Sequence, residues 1–110
     1  MSVSIRVLDC VYGRPAVGVR VDVICELEGI VVRQSRNYTG DDGYVSGSPE
    51  ATQGRGFYTF IFDLDGYFRK LGYASLNSAI SVRFHLLQDS HQYDVSMLIT
   101  PSSCVTFREG

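Results

Sequence analysis

The sequence has no excess of basic charge. Ten lysines and arginines face twelve aspartates and glutamates in 110 residues, a formal net charge of −2. A nucleic-acid binder normally carries a basic stripe, so no nucleic-acid partner is expected. No apolar run approaches the roughly 20 residues that span a bilayer, and no membrane partner is expected either. Residues 1–6 (Met-Ser-Val-Ser-Ile-Arg) lack the long apolar stretch of a secretory signal. Three cysteines, Cys10, Cys25 and Cys104, are an odd set at spacings that match no zinc or redox motif. No HxH, HxxxH or cysteine cluster is present, and phosphate-loop and dinucleotide patterns are missing too, so neither a metal nor a cofactor is expected. The bland reading of the thiols is three reduced cysteines in a cytoplasmic protein. What remains is one small soluble domain over residues 1–110, with 45% hydrophobic residues to build a core.

The dominant period is two. Val3, Ile5 and Val7 alternate with Ser4, Arg6 and Leu8. Val17, Val19, Val21, Val23, Cys25 and Leu27 alternate with mostly polar residues. The pattern returns at Ile80, Val82, Phe84 and Leu86, and again at Tyr93, Val95, Met97 and Ile99. Such alternation puts one face on a core, as in antiparallel sheets. Turn chemistry separates the runs at Gly13-Arg14-Pro15, Glu28-Gly29, Gly40-Asp41-Asp42-Gly43 and Asp89-Ser90. Residues 46–56 are the longest polar stretch and read as a mobile loop. Pro101 ends the strand that closes at Ile99. Short strands between turns predict an all-β sandwich.

Residues 57–64 (Phe-Tyr-Thr-Phe-Ile-Phe-Asp-Leu) break the alternation, being apolar on both faces, which predicts a strand covered on both sides. They run into a helix of about two turns, capped by Asp65 and ended by Gly72, with Phe68 and Leu71 turned inward at the i, i+3 spacing.

The off-phase positions are where function is sought. They are Ser4, Arg6 and Leu8 on the first strand, and Gln92, Asp94, Ser96 and Leu98 on a later one. An outward leucine on both strands suggests that this face is covered. The bland reading of Arg6 and Asp94 is two solvated charges. His85 and His91 read as surface residues.

Arg6-Val7-Leu8-Asp9, then Gly13-Arg14-Pro15-Ala16 and Gly18-Val19-Arg20-Val21, resembles the opening of the transthyretin and 5-hydroxyisourate hydrolase family. Residues 39–45, Phe62-Asp63, Gly66-Tyr67-Phe68, Tyr93, Val95, Leu98, Thr100-Pro101 and Phe107-Arg108 continue the resemblance over essentially the whole chain. It implies a transthyretin-like eight-stranded sandwich of two four-stranded sheets with one short helix. It also implies a homotetramer, a dimer of dimers, with a small-molecule site in the channel between copies. The hydrolases carry a histidine where this chain has Arg6, an arginine where it has Tyr44, and a second histidine where it has Asp94. Only Arg108 of that signature carries over.

Histidine suits the proton transfers of ring opening because its pKa lies near neutral, whereas a guanidinium does not deprotonate. The hydrolase mechanism therefore does not transfer by resemblance. Three readings stand beside one another. In the first, Arg6, Tyr44, Asp94 and Arg108 form an altered catalytic site, with Asp94 as acid or base and Tyr44 as proton donor. Arg6 and Arg108 would hold an anionic group, and Leu8, Ser96, Leu98 and Phe107 would line the ligand. In the second, the chain binds a small molecule without turnover, as the resemblance to transthyretin implies; separately, if their strands are neighbours as in the family, Arg6 and Asp94 form an ion pair whose bland reading is a structural salt bridge. The third is hydroxyisourate hydrolysis by a different residue set.

Overall fold

The computed structural model describes residues 2–47, 56–76, 78–86 and 92–109. Among them the elements follow in order as β1 (Ser2–Asp9), β2 (Arg14–Pro15), β3 (Arg20–Leu27), β4 (Ile30–Tyr38) and β5 (Tyr44–Gly47). Then come β6 (Gly56–Asp63), α1 (Leu64–Lys70), β7 (Ala79–Leu86), β8 (Gln92–Thr100) and β9 (Ser103–Arg108). One sheet has the order β2-β1-β8-β9, with β5 also on β1; the other has the order β4-β3-β6-β7. Apart from the two-residue β2, this is the expected sandwich of two four-stranded sheets. β1 and β8 run parallel, while the other pairs are antiparallel. No helix among the described residues is long and apolar enough to cross a membrane.

The alternating residues fill the space between the sheets. Val3, Ile5 and Val7 from β1 meet Val21, Val23 and Cys25 from β3, and Val95, Met97 and Ile99 from β8, all buried. Phe60 and Phe62 from β6 and Phe68 from α1 are fully buried among them. Each such side chain contributes about 1.5–3 kcal/mol through area removed from water. Ile80, Val82, Phe84 and Tyr93 pack half-buried against this core.

Several expectations are corrected. Val17 is exposed rather than part of the apolar stripe, because Gly18, at φ +76°, turns the chain before β3 begins. The helix begins two residues early, with Asp63 rather than Asp65 as its cap. The Asp63 carboxylate accepts from the Gly66 N–H at 3.1 Å, which lets Leu64 enter the helix and bury itself. Leu71 is only half-buried. The outer face of β6 is covered by side chains rather than by another layer. Arg83 lies 3.8 Å above the Phe57 ring and His85, itself exposed, stacks on it at 4.6 Å. β4 is a strand that the period-two pattern did not pick out. Residues 48–55, most of the expected loop, lie outside the described residues, as do His91 and the Asp89-Ser90 turn.

Candidate functional site

Residues directly opposite each other in a sheet share a face, so the registers fix what stands beside Arg6. Its partner on β5 is Tyr44, its partner on β8 is Ser96, and Ser96 is opposite Phe107 on β9. The row Tyr44–Arg6–Ser96–Phe107 thus crosses the outer face of the five-stranded sheet. The next row is Leu8–Leu98–Val105. On the other side lies Ser46–Ser4–Asp94. Ser96 is buried, Arg6, Leu8, Leu98 and Asp94 are half-buried, and Tyr44 and Phe107 are exposed.

The turn before β5 sets the position of Tyr44. Asp42 accepts the Tyr44 N–H on its carboxylate at 3.0 Å, and Val7 N–H donates to the Gly43 carbonyl at 2.8 Å. Gly43 has φ +81°, and a Cβ there would come 2.5 Å from the Val7 carbonyl oxygen. Only glycine fits both demands. The same turn holds Arg6: its Nε donates to the Asp42 carbonyl at 3.4 Å, and its guanidinium carbon lies 5.7 Å from the Tyr44 ring centre. That geometry permits a modest cation–π attraction. The carbonyl of Asp42 is a partner of Arg6 that a turn motif alone does not reveal.

Asp94 shares the face of Arg6 but does not pair with it. The parallel register puts Asp94 beside Ser4, two residues along from Arg6, and its carboxylate accepts from Gln92 Nε2 at 2.9 Å. Among the described residues the ion pairs are Arg36–Asp22, Arg69–Asp65 and Arg83–Glu26, so the expected Arg6–Asp94 bridge is absent within the chain. Among the described residues no carboxylate neutralises the Arg6 guanidinium, and its two terminal nitrogens have no hydrogen-bond acceptor there.

Arg108 stands apart. It pairs with Val95, a core residue, and so sits on the opposite phase of the sheet, with its guanidinium carbon 4.4 Å from the Tyr93 ring centre. Three of the four expected catalytic residues share one face, and the fourth does not.

One buried carboxylate anchors the end of β1 that carries Arg6 and Leu8. Asp9, 1% exposed, accepts from Val11 N–H at 2.8 Å, from Tyr12 N–H at 3.2 Å and from the Tyr67 hydroxyl at 2.6 Å. Burial first, and the bond to Asp9 second, push the Tyr67 hydroxyl well above its usual range. Among the described residues no three His, Cys, Asp or Glu side chains gather as a metal would require. Cys10, Cys25 and Cys104 are free thiols.

The model of the HIUase/Transthyretin family matches residues 3–109. The chain is 32% identical to 5-hydroxyisourate hydrolase 2 of Rhizobium meliloti, over 94% of this chain and 91% of that one. Sea bream transthyretin in complex with thyroxine shares the fold, with a TM-score of 0.85 at 23% identity over 97% of this chain and 93% of that one. An (S)-allantoin synthase superposes with a TM-score of 0.80 at 25% identity, over 98% of this chain but 43% of that one. With the match running nearly end to end, the chain belongs to the HIUase/transthyretin family.

Proposed function

We propose that the outer face of the five-stranded sheet binds a small anionic metabolite and carries out acid–base chemistry on it, in a channel between copies of this chain. The observation that carries this reading is Arg6, a cation with no carboxylate partner among the described residues, standing between Tyr44 and Ser96. A guanidinium whose two terminal nitrogens lack an acceptor among the described residues is suited to bidentate capture of a carboxylate, enolate or similar anion. Tyr44, beside it, serves as proton donor. Asp94, on the same face and oriented by Gln92, serves as acid or base. Leu8, Ser96, Leu98 and Phe107 form the walls. Exposed Phe107 and Val105 beside half-buried Leu8 and Leu98 support a face covered by a second copy, consistent with the tetramer that the family resemblance implies. Arg108, on the other phase of the sheet, takes no part in this set within one chain.

A second reading, 5-hydroxyisourate hydrolysis, is favoured by the names of the relatives, the Rhizobium meliloti protein among them. Against it stand Arg6 and Asp94 at the positions where the resemblance places histidines.

The binding reading is tested by thermal-shift measurement with small carboxylates on one side and thyroxine, the ligand of the sea bream transthyretin, on the other. The carboxylates are expected to raise Tm in proportion to the logarithm of their concentration, and thyroxine to leave it unchanged. Stabilisation by thyroxine alone would instead favour an apolar carrier.

A further inference from the structure

The inner face of the four-stranded sheet changes character from one edge to the other. Three rows cross it: Phe84–Tyr58–Cys25–Arg33, Val82–Phe60–Val23–Ser35 and Ile80–Phe62–Val21–Asn37. In each row β7, β6 and β3 supply core side chains, and β4 supplies a cation, a hydroxyl or an amide. A strand that faces a core normally presents apolar residues there, and polar groups withdrawn from bulk water need partners. The inner phase of β4 is therefore built to face something other than the core.

What it faces is a cleft. Across from β4 stands β5 of the other sheet, where Gly47 contributes no side chain and the Tyr58 hydroxyl occupies the place a Cβ would take. The result is a cavity of about 240 Å³ between the sheets, lined by Arg33, Ser35, Asn37, Gly47, Cys25 and Tyr58 among others. Among the described residues no carboxylate lines it. Asn37 Nδ2 donates to Ser35 Oγ at 3.1 Å, which leaves the serine hydroxyl hydrogen free to donate in turn. Arg33 makes no hydrogen bond or ion pair with any described residue. Burial holds the Tyr58 hydroxyl protonated, its pKa pushed up to about 12, and burial also raises the Cys25 thiol. From the described residues the cleft thus offers the Arg33 cation, neutral donors and an apolar floor. Its volume is below the roughly 300 Å³ at which drug-sized pockets begin, which suits a ligand of a few heavy atoms.

We propose that this inter-sheet cleft is a second ligand site, taking a small hydroxycarboxylate whose carboxylate pairs with Arg33 and whose hydroxyl lies among Ser35, Asn37 and Tyr58. Its lining includes none of Arg6, Tyr44, Asp94 and Arg108, so it is independent of the function proposed above.

The test is a two-dimensional amide NMR titration of the full chain with malate, run in parallel on wild type, Arg33→Gln and Arg6→Gln. Arg33 is exposed, so its replacement is expected to leave the spectrum of the free protein folded and largely superimposable. Saturable shifts are expected at residues 33–37 and 46–47. Arg33→Gln should weaken them by about tenfold or more, as loss of a charge-assisted bond requires, and Arg6→Gln should leave them unchanged. Absence of saturable shifts at those residues overturns the proposal, as does binding there that survives in Arg33→Gln or vanishes in Arg6→Gln.

Discussion

Replacing Arg6 by glutamine is expected to weaken binding of small carboxylates at the outer face by about a hundredfold and to remove the thermal stabilisation that this face contributes. Each charge-assisted hydrogen bond contributes about 1.5–3 kcal/mol, and about 2.7 kcal/mol corresponds to a hundredfold in Kd. Two terminal nitrogens make a bidentate contact available, and glutamine keeps a polar side chain without the charge or the fork. The folded protein itself should be little affected. Among the described residues Arg6 gives up one long bond to the Asp42 carbonyl, at 3.4 Å, and a loose contact with the Tyr44 ring. Calorimetric titration of both proteins with the same carboxylate checks this. Arg6→Lys, which keeps the charge but loses the planar fork, is expected to recover only part of the affinity. If Arg6→Gln binds as tightly as wild type, Arg6 is a solvated surface charge and the site lies elsewhere.

The largest effect on stability is expected at Asp9. Its carboxylate takes hydrogen bonds from two backbone N–H groups and from Tyr67, in a position that is 1% exposed. Asp9→Ala removes all of them at once and strands three donors, one of them the Tyr67 hydroxyl. Stranded buried donors cost about 1–3 kcal/mol each, although water reaching the two turn amides reduces the sum, so a loss of about 3–5 kcal/mol is expected. Against a total of about 5–15 kcal/mol for a domain, that is enough to lower the urea midpoint severely. Tyr67→Phe should cost less, about 1–2 kcal/mol, because both backbone donors stay on Asp9 Oδ1. Equal losses in the two variants would show that the Tyr67 bond, rather than the turn after β1, carries the energy.

How far the sequence reveals this fold depends on which strands face apolar neighbours. β1, β3 and β8 are legible because their inner residues are Val, Ile, Cys and Met at every second position. β4 is not, since Arg33, Ser35 and Asn37 occupy its inner phase and the alternation disappears. The same polar inner phase that hides the strand builds the cleft between the sheets. The helix start slipped because Asp63 and Asp65 are both competent caps. The choice between them is made by Leu64, which is buried only if it is already helical, and that is a tertiary contact.

The site was legible to a similar degree. Period two alone puts Arg6, Leu8, Asp94, Ser96 and Leu98 on outward phases, and the strand registers gather them on one face. Pairing within that face is a long-range property. Whether Arg6 meets Asp94 or Ser96 depends on the parallel register of β1 and β8, which nothing local encodes. The phase of Arg108 is likewise set by long-range pairing. In β9 the apolar Val105 and Phe107 alternate with Thr106 and Arg108, but the apolar phase is the outer one, and the pairing with β8 sets Arg108 beside Val95.

The most direct measurement is the decay of freshly generated 5-hydroxyisourate, followed by absorbance with and without the wild-type protein. With arginine and aspartate where the family resemblance places the hydrolase histidines, decay at the spontaneous rate is expected. Decay clearly faster than the spontaneous rate, and in proportion to protein concentration, would contradict a site of altered chemistry and restore the hydrolase reading.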